Sequence, residues 1–326
     1  LVPRAGQNII FNWRTSLLYN SHQASVVIRL TSRSQNDLFP LIMTYFIFSL
    51  LCLIWGSTWL AIKIGLQDSP PLWSAGFRFV IAALIILVIN RIRNVTYPAD
   101  LKRLWKIAFP GIFMYGLSYS LVYAAEVHIS SSLTAVIFAS FPFLIAIFSI
   151  FMLQEEKLSS RGWFGLAVGF LGIVVVFYDS LATSRFVFLG TVLAAFGAVA
   201  SAYGTVYIRS RLQEEDIFVM SAVQMSLGAV IIILLAVLSE PLSDFKVTAR
   251  SVGALSYLVV FGTVIAFLGY YYLLKKIQAI KVSQITYITP VIAVILGYIV
   301  LSERFTVSAA LGAILVLFGV MLVVRR

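Results

Sequence analysis

The sequence predicts an all-α membrane protein, with ten transmembrane helices arranged as two inverted five-helix repeats. Three observations carry this. The 326 residues are 61% hydrophobic and 11% charged, with a mean hydropathy of +0.99. A soluble domain has roughly 45–50% apolar and about 25% charged residues, so no globule of this size hides so much apolar surface from water. Ten charge-poor runs approach or exceed the roughly 20 residues that a lipid-crossing helix needs. The second half of the chain also repeats landmarks of the first at a spacing near 147 residues.

The first 42 residues are not expected to span. Their longest charge-free stretch, between Arg14 and Arg29, is short and rich in Asn, Ser, His and Gln. It lacks the apolar core and small-residue cleavage site of a signal peptide. Leu1-Val2-Pro3-Arg4 reads as the remnant of a cleavable tag, with Met43 as a natural start; a cytoplasmic arm is the other reading.

The first repeat, residues 43–178, holds the runs Leu38–Ile62, Ser69–Asn90, Ile107–Ala125, Val127–Gln154 and Gly162–Tyr178. Only Arg78 interrupts the second of these. The second repeat, residues 186–326, holds Phe186–Ile208, Ile217–Ser239, Ser251–Leu274, Val282–Ser302 and Phe305–Val324. None alternates polar and apolar residues in the way a barrel strand does.

The repeat landmarks fall in order. Lys63 matches Arg209 and Arg78 matches Gln224 at 146; Glu156 matches Glu303, Gly165 matches Gly312 and Gly172 matches Gly319 at 147. Tyr123 matches Tyr271 and Pro142 matches Pro290 at 148. Five spans per repeat is an odd number, so the second repeat enters the membrane upside down. Eighteen Lys and Arg fall on the side of the termini and five on the other. The positive-inside rule therefore places both termini in the cytoplasm of a multi-pass cell (inner) membrane protein.

The composition excludes several function classes. A net charge of +11 suggests nucleic acid only when it forms a patch on a soluble face; here the cations sit in short gaps between apolar runs. One cysteine, Cys52, and two histidines, His22 and His128, build no metal site. No phosphate-binding loop, zinc helix or nucleophile elbow occurs, so neither enzymatic chemistry nor a cofactor is expected.

Arg78 is the clearest polar interruption, lying about 10 Å into its helix at 1.5 Å per residue. Such a residue faces a cavity or a partner. It reads either as an anion anchor or outer gate, or as a structural residue that clamps backbone carbonyls or Glu126 or snorkels to the interface. Gln224, its match, supplies a neutral donor in the same place. Trp55, Tyr115 and Tyr119 sit nearer the midplane and read as cavity lining, joined by Trp59 and Tyr203; Tyr123 and Tyr207, near helix ends, read as interfacial anchors. Ser57, Ser283 and Thr286 belong to polar clusters that line a path or bridge helices. Gly162, Gly165, Gly169 and Gly172 form a stripe read as close helix packing. Pro142 and Pro290 are expected hinges, because each frees a carbonyl in mid-helix. Glu126, Glu155, Glu156 and Glu303 all fall at helix ends, so obligatory proton coupling is not expected.

The run Trp55-Gly56-Ser57-Thr58-Trp59-Leu60-Ala61-Ile62-Lys63, with Pro70-Pro71 and Ala75-Gly76-Phe77-Arg78-Phe79, resembles the start of an EamA-type repeat of the drug/metabolite transporter superfamily. Both repeats end in a similar way, with Pro142 then Glu155-Glu156, and Pro290 then Glu303, each followed by a glycine-rich helix. The resemblance implies a ten-helix bundle that moves small organic metabolites or drugs by alternating access, with export as the usual direction. Inverted repeats around a midplane site are a recurring plan for secondary transporters. The expected partners are a small-molecule solute and the lipid bilayer; a homodimer stays open. Proton-coupled antiport is the alternative reading, with a non-transporting membrane subunit or an intramembrane enzyme further behind.

Overall fold

The computed structural model describes residues 41–153, 160–304 and 306–324. Expectations about the segment before residue 41, about Glu155 and Glu156, and about the last two arginines lie outside them. Residues Leu1–Phe46 and Ile47–Arg326 are separate compact units. Of the first, only residues 41–46 are described, as the start of a helix. The second unit forms the bundle.

Among the described residues each expected run is mainly helical, and no strand occurs. The helices are α1 (Leu41–Gly65), α2 (Pro71–Ile92), α3 (Leu101–His128), α4 (Ser131–Met152) and α5 (Ser160–Thr183), then α6 (Arg185–Arg211), α7 (Ile217–Ser239), α8 (Ala249–Lys276), α9 (Ala279–Leu301) and α10 (Val307–Val324). Among the described residues the first nine each contain a stretch long and apolar enough to cross a bilayer, and α10 holds the shorter apolar segment Ala310–Gly319. The helices outrun the apolar runs where local signals allow. α3 starts six residues before Ile107 because the Asp100 carboxylate accepts from the N–H groups of Lys102 and Arg103, which satisfies donors that a helix start leaves free. Thr248 and Ser251 form a capping box at the matching start of α8. Glu240, just after α7, caps α2 from outside by accepting from Leu72 N and Trp73 N. Burial pushes its carboxyl above the ordinary range, and those two N–H groups pull it back.

The repeats match in detail. α3 contains a π segment at Ile112–Leu117 and α8 one at Val260–Ile265, 148 residues on. Both helices end in an extended two-residue link, Ile129-Ser130 and Ile277-Gln278, before α4 and α9 begin. α2 packs on α7, α4 on α9 and α5 on α10, so each of these helices meets its own counterpart. α3 packs on α6, and α1 on α8 through the contact of Trp55 with Phe267 and Tyr270. That exchange of partners is what an inverted pseudo-twofold requires.

Gly165, Gly169 and Gly172 of the predicted stripe pack against α10 as the sequence predicts. A Cβ on Gly172 would stand 2.6 Å from Val316 N and 2.7 Å from Gly312 O, both main-chain atoms of α10. Glycine here lets two backbones touch.

Candidate functional site

The bundle has a cavity of about 70 Å³ lined by helices of both repeats. Of the residues singled out in the sequence, Trp55, Trp59, Arg78, Tyr119 and Thr286 line it. Phe138, Phe267 and Tyr270 complete most of the aromatic wall. Trp59 packs on Phe138 with ring centres 4.8 Å apart, and Trp55 packs on Tyr270 at 5.0 Å. The indole nitrogens of both tryptophans are buried and have no hydrogen-bond partner among the described residues. A buried N–H without an acceptor is costly, so two donors stand ready for a guest.

Arg78 is 1% exposed. Its Nε donates to Thr263 Oγ1 at 2.7 Å, Nη1 to the Tyr123 hydroxyl at 3.2 Å and Nη2 to the Gly262 carbonyl at 3.1 Å. The guanidinium carbon also lies 4.8 Å from the centre of the Tyr119 ring, a distance suited to cation–π attraction. Gly262 permits this approach, since a Cβ there would meet Thr58 at 2.8 Å and Nη2 at 3.3 Å. Arg78 is thus a clamp between α2, α3 and the π segment of α8, with one side on the cavity. It makes no bond to Glu126. Tyr123 is fully buried in this clamp; its reading as an interfacial anchor is corrected, because the arginine needs an acceptor more than the hydroxyl needs the headgroup layer.

Gln224 repeats the arrangement without charge and with the bond reversed: it accepts where a donor was expected, and its amide nitrogen has no partner among the described residues. Its Oε1 accepts from the Tyr271 hydroxyl at 2.6 Å, and that hydroxyl lies 2.7 Å from the hydroxyl of Tyr115. Tyr115 stands at the position matching Thr263, inside the other π segment. Both residues therefore lie behind the cavity wall and tie the repeats together. A π turn widens a helix and exposes carbonyls to other partners, and such turns are frequent at functional sites.

The remaining expected residues lie elsewhere. Ser57 donates to main-chain carbonyls of its own helix and lies 2.6 Å from the Tyr257 hydroxyl, bridging α1 to α8. Ser283 bonds the Ile280 carbonyl at 2.9 Å. Tyr203 packs its ring on Phe113 at 4.8 Å along a separate apolar groove. Pro142 is the second residue of the helical segment Phe141–Met152, directly after a turn at Ala139-Ser140 that splits α4. Pro290 lies inside Ile285–Leu301, and the matching break in α9 comes earlier, at Ser283-Gln284.

One end of the bundle gathers charges that no apolar pattern places together. Lys63 donates to the main-chain carbonyls of Glu126 and Ile129 at the end of α3. Arg209, its match, donates to the carbonyl of Leu274, which matches Glu126, at the end of α8. Glu303 turns back behind Ser302, whose φ is 52°, and accepts from the N–H and hydroxyl groups of Ser131 and Ser132 at 2.5–3.1 Å. Gly297 leaves the space for this carboxylate. Glu126 is fully buried beside them. A helix-end position in the sequence suggested contact with water, and packing against α1 removes it.

The EamA-like transporter family model matches residues 42–178 and 188–325, one copy per repeat. The chain is similar to the uncharacterized transporter YoaV of Bacillus subtilis, 28% identical over 278 residues that cover 82% of this chain and 92% of that protein. It is similar to the uncharacterized inner membrane transporter YedA of Escherichia coli, 29% identical over 276 residues, 84% of this chain and 88% of that protein. An uncharacterized transporter of Archaeoglobus fulgidus is 29% identical over 286 residues, 86% of this chain and 99% of its own length. A solved crystal structure with 22% identity superposes with a TM-score of 0.65 over 87% of this chain and 99% of its own, and so shares the fold. The chain is a multi-pass membrane protein and belongs to the EamA-like transporter family.

Proposed function

We propose that this transporter moves small amphipathic metabolites, such as amino acids and their relatives, through the cavity between its repeats by alternating access, in the export direction. The observation that carries the reading is the cavity's lining. Aromatic rings from both repeats suit an apolar body, and two unpartnered indole N–H groups with the Arg78 guanidinium suit a carboxylate or other acceptor. At about 70 Å³ the cavity is far smaller than the roughly 300–1,000 Å³ of a ligand pocket. It reads as a shut form that widens when one end opens. The two repeats, residues 43–178 and 186–326, supply the halves that rock about Pro142 and Pro290. The lysine and arginine count orients the Arg209 end to the cytoplasm, together with both termini. Export rests on the family resemblance.

The test is counterflow into liposomes holding the purified protein, across amino acids, nucleosides, sugars and cationic drugs. Exchange of a carboxylate-bearing class above protein-free liposomes, lost in Trp59→Ala at equal reconstituted protein, is the expected result. No exchange of any class by folded protein would overturn the reading.

A further inference from the structure

Glu126 lies two residues before the end of α3, fully buried, and neither carboxylate oxygen has a hydrogen-bond partner among the described residues. It faces a pocket of about 490 Å³ at the Lys63 end, shared with Lys63, Gln67, His128 and Glu303. The other charges here are matched. The Lys63 ammonium sits on carbonyls at the C-terminus of α3, and the Glu303 carboxylate sits on N–H groups at the N-terminus of α4. Each sign suits the helix end that it meets. Together they shut this end, because separating α4 from α9 breaks four bonds to Glu303.

An ionised carboxylate buried without donors costs several kcal/mol, and a single bound proton removes that cost. A metal ion or organic cation does not fit as well. The Lys63 ammonium already stands at the adjoining carbonyls, and no group of three or more metal-ligating side chains occurs among the described residues. The charged and titratable groups facing Glu126 are Lys63 from α1, Arg78 from α2, Tyr123 and His128 from α3 itself, and Glu303 after α9. Lys63 and Arg78 carry positive charge here and Glu303 negative. When Glu303 leaves α4 and water enters, its negative charge goes with it and the Glu126 carboxyl gains solvent.

We propose that Glu126 is a proton-binding site that controls the gate at the Lys63 end, protonated while the gate is shut and ionised while it is open. On opening, the carboxyl O–H bond breaks, the proton passes to pocket water, and the electron pair stays on the carboxylate beside Lys63. The proton leaves and returns on one side, so it regulates passage and does not drive it. The shut form binds more protons, so raising the pH on that side favours opening. This rests on the alternating-access reading, but its test needs no knowledge of the solute.

On a Cys52→Ala background, Gln67→Cys reports the surface at this end and Ile62→Cys reports the cavity behind it, where Ile62 is 2% exposed. Both are labelled with an impermeant thiol reagent in sealed vesicles of the orientation in which Gln67→Cys reacts. Dividing the Ile62→Cys rate by the Gln67→Cys rate removes the pH dependence that the two thiols share, and the same ratio in Glu126→Gln removes what burial of the Ile62→Cys thiol adds. The ratio is expected to rise about fivefold or more between about pH 5.5 and about pH 8.5. It should stay low throughout in Glu126→Gln, and keep its rise in Glu126→Asp and in His128→Gln. A flat ratio in the parent, an unchanged rise in Glu126→Gln, or a response lost in His128→Gln would each overturn the proposal. If Glu126→Gln does not fold, Glu126→Asp and His128→Gln still decide it: a loss of the rise in either one counts against Glu126. A pH response in protein that exchanges no solute would sink the transport reading and leave the gate standing.

Discussion

Arg78 and Gln224 hold matching places in the two repeats, and each is bonded to the matching tyrosine of its own repeat: Arg78 to Tyr123 at 3.2 Å, Gln224 to Tyr271 at 2.6 Å. Each network then crosses to the π segment of the other repeat, at Thr263 and at Tyr115. The wiring is symmetric and the charge is not. Only the Arg78 arm faces the cavity, which gives a symmetric frame one electropositive wall.

This wiring predicts different outcomes at Arg78. Arg78→Gln copies the second repeat and should fold and keep measurable flux. Arg78→Leu leaves the Gly262 carbonyl and the Tyr123 hydroxyl without a donor, at about 1–3 kcal/mol each. Its initial rate per folded protein in proteoliposomes should fall severely, most for solutes with a carboxylate. Parental rates in Arg78→Leu would make the residue a dispensable clamp.

Gly297→Ala places a methyl group against the Glu303 carboxylate and 2.6 Å from the Ser132 hydroxyl. The carboxylate must leave α4, so the Lys63 end should open more readily. Labelling of Ile62→Cys from that side is expected to rise several-fold. No change in labelling would mean that Glu303 does not hold this end shut.

The α5–α10 contact should tolerate no side chain. Gly172→Ala meets main-chain atoms that cannot turn aside. Overpacking of this kind costs about 1–3 kcal/mol, so the thermal midpoint in detergent should drop by several degrees. Gly253→Ala is the control: a Cβ there meets nothing within 4 Å.

The hinge reading of the prolines predicts that Pro142→Ala and Pro290→Ala slow solute flux more than they lower folded yield. The effects should differ, because Pro142 follows a break in its helix and Pro290 lies inside a continuous segment. Unchanged flux in both would reduce them to static kinks.

The spans and the repeat were legible because lipid imposes a one-dimensional rule: a helix there needs an apolar run, and duplication copies its landmarks. Trp55, Arg78 and Tyr119 were legible for a related reason, since large polar or aromatic groups inside a span need a cavity or a partner; the same rule named Tyr115, which found a partner behind the wall instead. What escaped was register. The two π segments leave no compositional trace, so Thr263 and Gly262 could not be named as partners of Arg78. Phe267 and Tyr270 look like ordinary aromatics until α1 packs on them. Glu126 looks like a solvated helix end until Lys63 and Glu303 close over it.

The central claim is that two inverted repeats exchange access to one cavity. Ile62 lines that cavity, and Ile208 is its match in the second repeat; they are 2% and 1% exposed. Each is replaced by Cys on a Cys52→Ala background and labelled from its own side, with and without Glu303→Ala to loosen the Lys63 end. Alternating access predicts that Glu303→Ala raises labelling of Ile62→Cys and lowers that of Ile208→Cys. Labelling that rises at both, or moves at neither, would contradict it.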